Sequence, residues 1–359
     1  MTVRLQASSK DSCWPCRAGE VSGKFCAVLL ILTASVFSTA LAADYKPEFK
    51  MSIVGPNEET PWGRAATRFA DAIKYRTQGR IQIKNYFNGQ LFAGKQTTEF
   101  AHLQQGLADF SIGSTINWSP QVKQLNIFAL PFMFPGYAAV DAVEGGEPGE
   151  RLFKLIERNG VIPIAWGENG FRELTNSKRP IRRPEDLDGL KIRVVGVPLF
   201  VDTFEALGAI PVPMNFDKAL EAFRQETVDG QENPVALIVP HKLWAFHKYV
   251  TLWHYAIDPL ILAVSGKTWV GLSREDQRIL QEVGQEVMGQ QKKEAREGLE
   301  ESTIIIEKLQ DLYGMEVSYP STADIDSFRN KTRSVYAKWS EEIGIELVRS
   351  VEGMVAKAK

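Results

Sequence analysis

From Tyr45 to Gly113 the chain alternates strand and helix signals, and this alternation limits the fold more than any other feature of the sequence. Phe49 to Val54 alternates as a strand. After the turn at Gly55-Pro56-Asn57, Thr60 is placed to cap a helix whose first residue is Pro61, a position where the missing N–H has no helical partner to lose. Trp62, Ala65, Ala66, Phe69, Ala70 and Ile73 then recur every three or four residues and make one apolar helix face, which reads as core. Gly79 closes that helix, Ile81 to Phe87 alternates as a second strand, Lys95 to Gln105 forms a second helix ended by Gly106, and Ala108 to Ile112 gives a third strand. Strand, helix, strand, helix, strand at this spacing predicts right-handed parallel crossovers in an α/β lobe.

A second α/β series begins near Val161, with strands predicted over 161–166, 190–195 and 209–214 and helices over 198–207 and 216–226. Gly167-Glu168-Asn169-Gly170 lies at the start of this series, and its two glycines mark a passage between lobes that is short enough to be a hinge. From Ser273 the pattern becomes long, charged and helix-forming. Ser273-Arg274-Glu275-Asp276 resembles a capping box, and Ile279, Leu280, Val283, Val287, Ala295 and Leu299 keep one face as far as Leu312-Tyr313-Gly314. An unbroken helix of about 39 residues would reach roughly 58 Å and run along both lobes. Gly284, Gly289 and Gly298 and the lack of a strict heptad argue against a coiled coil. A chain of 359 residues suits two such lobes. Its 44% hydrophobic and 24% charged residues exclude a disordered, collagen-like or polytopic membrane protein. With 42 basic against 44 acidic residues, no nucleic-acid partner is signalled.

The first 42 residues read as a segment to be removed. Arg4, Lys10, Arg17 and Lys24 precede the apolar run Phe25 to Phe37, and small residues at Ala40 and Ala42 follow, the order of a secretory signal cleaved after Ala42. The apolar run is about 13 residues, well short of the roughly 20 that span a bilayer, so the mature protein is not expected to be membrane-embedded. Cys13, Cys16 and Cys26 all lie in this segment, so the mature chain is expected to have no thiol or disulfide.

Enzyme signatures fail in turn. Gly89-Gln90-Leu91-Phe92-Ala93-Gly94-Lys95 matches all but the end of a phosphate-binding loop, but Gln96 stands where Ser or Thr must reach Mg²⁺, so a strand-to-helix turn explains it better. His102, His241, His247 and His254 show no metal-ligand spacing and read as surface or capping residues. No Gly-x-Ser-x-Gly elbow is present, and neither a metal nor a cofactor is predicted. Two arginines stand out. Arg172 lies just past the strand 161–166, and Arg193 sits inside the strand Leu190-Lys191-Ile192-Arg193-Val194, where a guanidinium projecting near a cleft offers a planar fork suited to a carboxylate.

Several motifs then agree in order: Thr77-Gln78-Gly79-Arg80-Ile81, Ala129-Leu130-Pro131-Phe132, Pro184-Glu185-Asp186-Leu187-Asp188-Gly189-Leu190 running into the Arg193 strand, Leu207-Gly208-Ala209 with Pro213-Met214-Asn215-Phe216, and Val228-Asp229-Gly230-Gln231-Glu232-Asn233-Pro234. On these the chain resembles, over nearly all of Ala43 to Lys359, the extracytoplasmic solute receptors of tripartite ATP-independent periplasmic (TRAP) transporters of the organic-acid-binding, C4-dicarboxylate receptor-like type. The resemblance implies an α/β, two-lobed periplasmic binding protein fold of type II-like character, with a hinge between the lobes and a long helix spanning both. It implies lobe I over 43–169 plus 258–297, lobe II over 170–257 plus 298–359, and a non-catalytic receptor in the periplasm that captures a small organic acid anion. Its partners would be the small and large TRAP membrane subunits. Arg193 would pair with the ligand carboxylate, Arg172 would add a second anion or hydroxyl contact, Asn233 would contact the carboxylate or simply serve a turn before Pro234, and Phe216 would form an aromatic wall.

Gly113-Ser114 stands where sialic-acid receptors carry an acidic residue, which disfavours sialic acid and makes Ser114 a candidate contact. The aromatic stretch Leu252-Trp253-His254-Tyr255 departs from relatives, its bulky side chains either reshaping the pocket or only filling a core, and adds Trp253 and Tyr255, with Trp118, as further candidates. C4-dicarboxylates, sugar acids such as uronates, aromatic acids and sulfonates stay open as ligands. The alternatives in other classes are an exported α/β enzyme acting on a small organic acid, or a receptor feeding a sensor.

Overall fold

In a computed structural model of the chain, which describes residues 45–55, 58–299 and 303–358, one nine-stranded sheet runs through the whole of the protein from Tyr45 onward. The predicted export segment and its three cysteines lie outside the described residues. The elements in chain order are β1 (Phe49–Ile53), α1 (Pro61–Arg76), β2 (Ile83–Tyr86), α2 (Glu99–Gln105), β3 (Phe110–Ser114), α3 (Thr115–Trp118), α4 (Tyr137–Glu144), α5 (Glu147–Arg158) and β4 (Val161–Asn176). There follow β5 (Lys191–Val194), α6 (Pro198–Ala206), β6 (Ile210–Pro213), α7 (Phe216–Arg224), β7 (Gly230–Pro234), β8 (Tyr249–Ser265), α8 (Gly266–Val270), α9 (Arg274–Arg296) and α10 (Ile304–Asp311). The last are β9 (Glu316–Ser318), α11 (Thr322–Lys331), α12 (Arg333–Ile343) and α13 (Ile345–Lys357).

The strand order is β2-β1-β3-β8-β4-β7-β5-β6, with β9 beside β8. β1 pairs in parallel with β2 and β3, and β5 pairs in parallel with β6 and β7, as the two crossover series predict. Thr60 caps α1 as expected, accepting from the Gly63 N–H at 3.1 Å, and Gly106 ends α2 at a φ of +74°. Both parallel groups hang on two long antiparallel strands. β3 pairs with residues 260–264 of β8, whereas β7 pairs with residues 172–176 of β4. β4 and β8 pair with each other along nearly their whole length and so carry the chain through both halves of the sheet. Leu260 to Val264 is buried on both faces, the continuous apolar pattern of a central strand.

Two expectations are corrected. The Gly167 to Gly170 passage is not a turn between elements, because β4 continues through it as a strand of 16 residues with a register shift at Glu168/Gly170. Gly170 sits at a φ of +119°, which glycine tolerates without a Cβ penalty, so the lobes are joined by a bulged strand. The long helix is 23 residues, roughly 34 Å, instead of 39. Glu297 leaves helical geometry and Gly298 takes a φ of +74° before α10 begins at Ile304. α9 lies along α1 and the first half of β4, its N-terminus capped by Ser273 through the Asp276 N–H at 3.1 Å.

Three apolar clusters hold the layers. One packs α1 and α9 on the β1–β3 half, a second packs α7 and α10 near β7, and the largest joins the helices α4 to α6 with α12 and α13. Close packing of α9 depends on Gly284, where a Cβ would lie 2.4 Å from Ile164 Cγ2 and 2.9 Å from Leu262 Cδ2. Gly289 in the same helix has open space around it. Gly284→Val is therefore expected to lower the unfolding free energy by about 1–3 kcal/mol through overpacking. Gly289→Ala is expected to raise it by roughly 0.5–1 kcal/mol through helix propensity. Urea midpoints at an unchanged slope would read both effects.

Candidate functional site

The strand bulge in β4 and its partner segment in β8 bring polar side chains together in the middle of the sheet. Asp258 is buried in β8 and accepts from Ser114 Oγ at 2.6 Å and from Asn169 Nδ2 at 2.9 Å. Ser114 also caps α3, accepting from the Ile116 N–H at 3.2 Å. On the other side of Asp258, Arg172 Nη1 stands 3.5 Å from Asp258 Oδ2, while Arg172 Nη2 donates to Glu232 Oε1 at 2.9 Å and to Asn233 Oδ1 at 3.0 Å. Arg172 Nε donates to Glu232 Oε2, which also receives the Tyr255 hydroxyl at 2.6 Å. Both members of the Arg172–Glu232 pair are buried, so each is desolvated and depends on the other.

These groups open onto a small cavity with room for only a few atoms beyond the side chains that line it. Arg193, Arg172, Asn233, Phe216 and Ser114 line it, so five of the eight predicted contact residues come together. Asn169, Asp258, Gln96, Asn117 and His241 line it as well. Trp118 does not: it is fully buried behind β3, its Nε1 donates to Glu99 Oε2 at 3.1 Å, and it fills the space where a Cβ on Gly113 would sit, 2.1 Å from its ring. Gly113 is thus required by packing. Trp253 and Tyr255 lie in an aromatic cluster with Phe132, Phe204 and Phe328, outside the cavity lining, although Tyr255 reaches the site through Glu232. Asn233 belongs to the strand β7, not to a turn: it pairs across from Glu173, and Pro234 closes the strand where no further ladder N–H is needed.

The two arginines differ in electrostatic state. Burial works against the charge of Arg172, but Glu232 outweighs it and the net pKa is raised. For Arg193 burial wins, and the guanidinium is lowered to about 10. It remains a cation at neutral pH. Its Nε and Nη2 both donate to one neutral acceptor, the Met214 carbonyl, at 3.1 and 2.8 Å, and its face lies 5.5 Å from the centre of the Phe216 ring. Among the described residues no carboxylate bonds to it. Burial also pushes the Asp258 carboxyl up, against the pull of Arg172, Ser114 and Asn169, and holds His241 down at about 4, so that this imidazole is neutral. His241 packs edge-on to Phe216 at 4.6 Å. It and His247, which is buried and bonded to Thr175 Oγ1 at 2.9 Å, are therefore not the surface or capping residues that the sequence suggested.

Sequence reasoning also passed over Asp258 and Asn169 as site residues. A signal was available: Asp258 is a charge inside the apolar run Tyr255 to Val264, and a charge in a central strand needs partners of its own.

A cleft between two α/β halves, lined by buried cations and amides, defines a receptor for a small anionic solute. Residues 51–342 match the bacterial extracellular solute-binding protein family 7, and the chain belongs to this family of TRAP-transporter solute receptors. A TRAP periplasmic solute-binding protein from Ralstonia eutropha, solved with bound (S)-2-acetolactate, is 46% identical with a TM-score of 0.85, covering 87% of this chain and 100% of that one. The sugar acid-binding protein of Advenella mimigardefordensis, solved with galactonate, is 28% identical with a TM-score of 0.80 over 87% of this chain and 98% of that one. The 2,3-diketo-L-gulonate-binding periplasmic protein of Escherichia coli is 29% identical over 290 residues, 80% of this chain and 86% of that one. The family consists of receptors whose bound acids are transport substrates, so the chain is a binding protein and not an enzyme. No helix among the described residues is long and apolar enough to cross a membrane.

Behind the cavity, Glu99 is fully buried and accepts from Ser52 Oγ at 2.8 Å as well as from Trp118. Burial pushes its carboxyl from 4.5 to about 7. The native state therefore holds a proton that the unfolded chain has released, so this contribution to stability is full below about pH 4.5 and is lost as pH rises through 7. Unfolding free energies of wild type and Glu99→Gln, compared at about pH 5 and about pH 8, should show the wild type losing ground to the variant at the higher pH. Parallel curves would contradict the assignment.

Proposed function

We propose that the chain captures a short hydroxy- or oxo-monocarboxylate in this cavity, with Arg193 as the carboxylate partner. The observation that carries the reading is the buried guanidinium of Arg193, whose hydrogen bonds among the described residues go to a neutral carbonyl. A ligand carboxylate supplies the counter-charge in a site closed to water, where a charge-assisted pair is strongest. Arg172 is already engaged by Glu232, and Asp258 lies beside it, so a second carboxylate on the ligand would meet two acids and, among the described lining residues, no cation beyond Arg193 that lacks an acidic partner. That disfavours C4-dicarboxylates. Asn169, Asn233, Asn117, Gln96 and neutral His241 offer hydrogen bonds to hydroxyl and keto oxygens, while Phe216 and the aliphatic side chains of the lining receive carbon substituents. The (S)-2-acetolactate held by the Ralstonia protein is a ligand of this chemistry.

On this reading residues 1–42 direct export and are cleaved near Ala42, and the mature receptor works in the periplasm. The lobes divide where the two long strands pass the cavity, 43–169 with 258–297 and 170–257 with 298–359. Closure on the ligand presents the receptor to the small and large membrane subunits of a TRAP permease. Ser114 and Asn233 act with Arg172 as the polar floor, and Trp118 and Trp253 support the site from behind.

Calorimetry of the purified protein with (S)-2-acetolactate, galactonate and succinate tests the class, and monocarboxylates are expected to bind more tightly than succinate. Arg193→Ala should cost on the order of 2–5 kcal/mol of binding, and Arg193→Lys should recover little, because a point charge does not reproduce the planar fork. Wild-type affinity in both folded variants would remove Arg193 from the site.

A further inference from the structure

The loop after β2 carries the Gly89 to Lys95 segment that resembles a phosphate-binding loop, and its surroundings point to another use. Gln96, which ends this loop and is buried, donates from Nε2 to Asn117 Oδ1 at 2.8 Å, and its Oε1 accepts from the backbone N–H of Phe216 at 3.1 Å. Phe216 is the first residue of α7, and the preceding Asn215 makes no side-chain capping bond. Gln96 thus satisfies one of the N–H groups that a helix start leaves without a partner.

Topology makes this contact informative. β2 and β6 are the outermost strands at opposite ends of the sheet order, and α7 follows β6 directly. Seven inter-strand spacings would hold those edges roughly 34 Å apart in a flat sheet. A loop after one edge meets a helix after the other only when the two halves are folded together over the cavity. Two residues earlier, Gly94 has a φ of +75°, and a Cβ there would lie 3.2 Å from the carboxylate of Asp217, the second residue of α7. The close approach therefore suits glycine.

We propose that Gln96 is the closure latch of the cleft: it caps α7 from the opposite half of the molecule, and the bond exists only when the halves are together. Asn117, in the short helix α3 that Ser114 caps beside Asp258, holds the Gln96 amide in the orientation that presents Oε1 to α7. The latch fixes Phe216 and, through the stacking of Arg193 on that ring, the cation that meets the ligand. Its purpose in retaining a ligand rests on the receptor reading above, but the contact itself does not.

The test uses the exported protein without ligand. Its chain from Ala43 onward has no cysteine, so a Gly94→Cys, Asp217→Cys pair reports closure by disulfide formation under mild oxidant. The pair is expected to cross-link, and adding Gln96→Ala should slow cross-linking by about two- to tenfold, the range for one lost hydrogen bond. Phe216→Pro deletes the same N–H from the other side. Proline suits the first helical position, and Asn215, at φ −63° and ψ 155°, already has the backbone that a residue before proline requires. It should slow the reaction similarly, and the two substitutions together should add nothing further. Absence of cross-linking, or a rate unchanged by both substitutions, would overturn the latch. If acids fail to bind while the cross-link slows as expected, the ligand assignment falls and the latch stands.

Discussion

The pairing of β4 with β8 is the constraint on which the rest of the structure depends. Strands of 16 and 17 residues are long enough to pass through both halves of the sheet, and every other strand of each half attaches to one of them directly or through one or two intervening strands. A regular ladder of that length would bury only apolar side chains in a central position. The irregularity at Glu168/Gly170 breaks the ladder near its middle and faces Asn169, Asp258 and Arg172 toward one another. The same interruption that gives the sheet a place to bend therefore gives it a polar site. Pro259 falls beside the bulge, opposite Glu168, where a missing N–H disturbs the ladder least.

Electrostatics at this site separates two arginines that look alike in sequence. Both are buried, but Arg172 shares its charge with Glu232 and stands near Asp258, whereas among the described residues Arg193 is held by a backbone carbonyl and an aromatic face. A desolvated cation without a counter-ion is costly, and on the proposed reading a ligand carboxylate removes that cost. In the proposed receptor, Arg172 and Glu232 are the fixed floor against which the anion is oriented. Pre-organisation of this kind limits what must be ordered at the moment of binding.

Much of the fold was legible from period alone. Alternation at 49–54, 81–87 and 190–195 and three- to four-residue spacing in α1 found strands and helices within a few residues of their observed ends, because local pattern and tertiary environment agree there. The unbroken 39-residue helix was misjudged because a charged, helix-forming composition continues past Arg296, whereas the backbone leaves helical geometry at Glu297 and turns left-handed at Gly298. In the site, Arg193, Arg172, Asn233, Phe216 and Ser114 came from motifs and do meet at one cavity. Trp253 and Trp118 were drawn in by size and aromaticity, properties that serve packing as readily as recognition. Gln96 and His241 were invisible as site residues, since long-range topology alone brings the loop after β2 and the segment after β7 to the same cavity.

The most direct measurement of the central claim is a crystal structure of the protein with a bound 2-hydroxy or 2-oxo monocarboxylate. The account predicts the ligand carboxylate on the guanidinium of Arg193, with the Arg172–Glu232 pair intact beneath it. A carboxylate seated on Arg172 with Glu232 displaced, or one with no contact to Arg193, would contradict it.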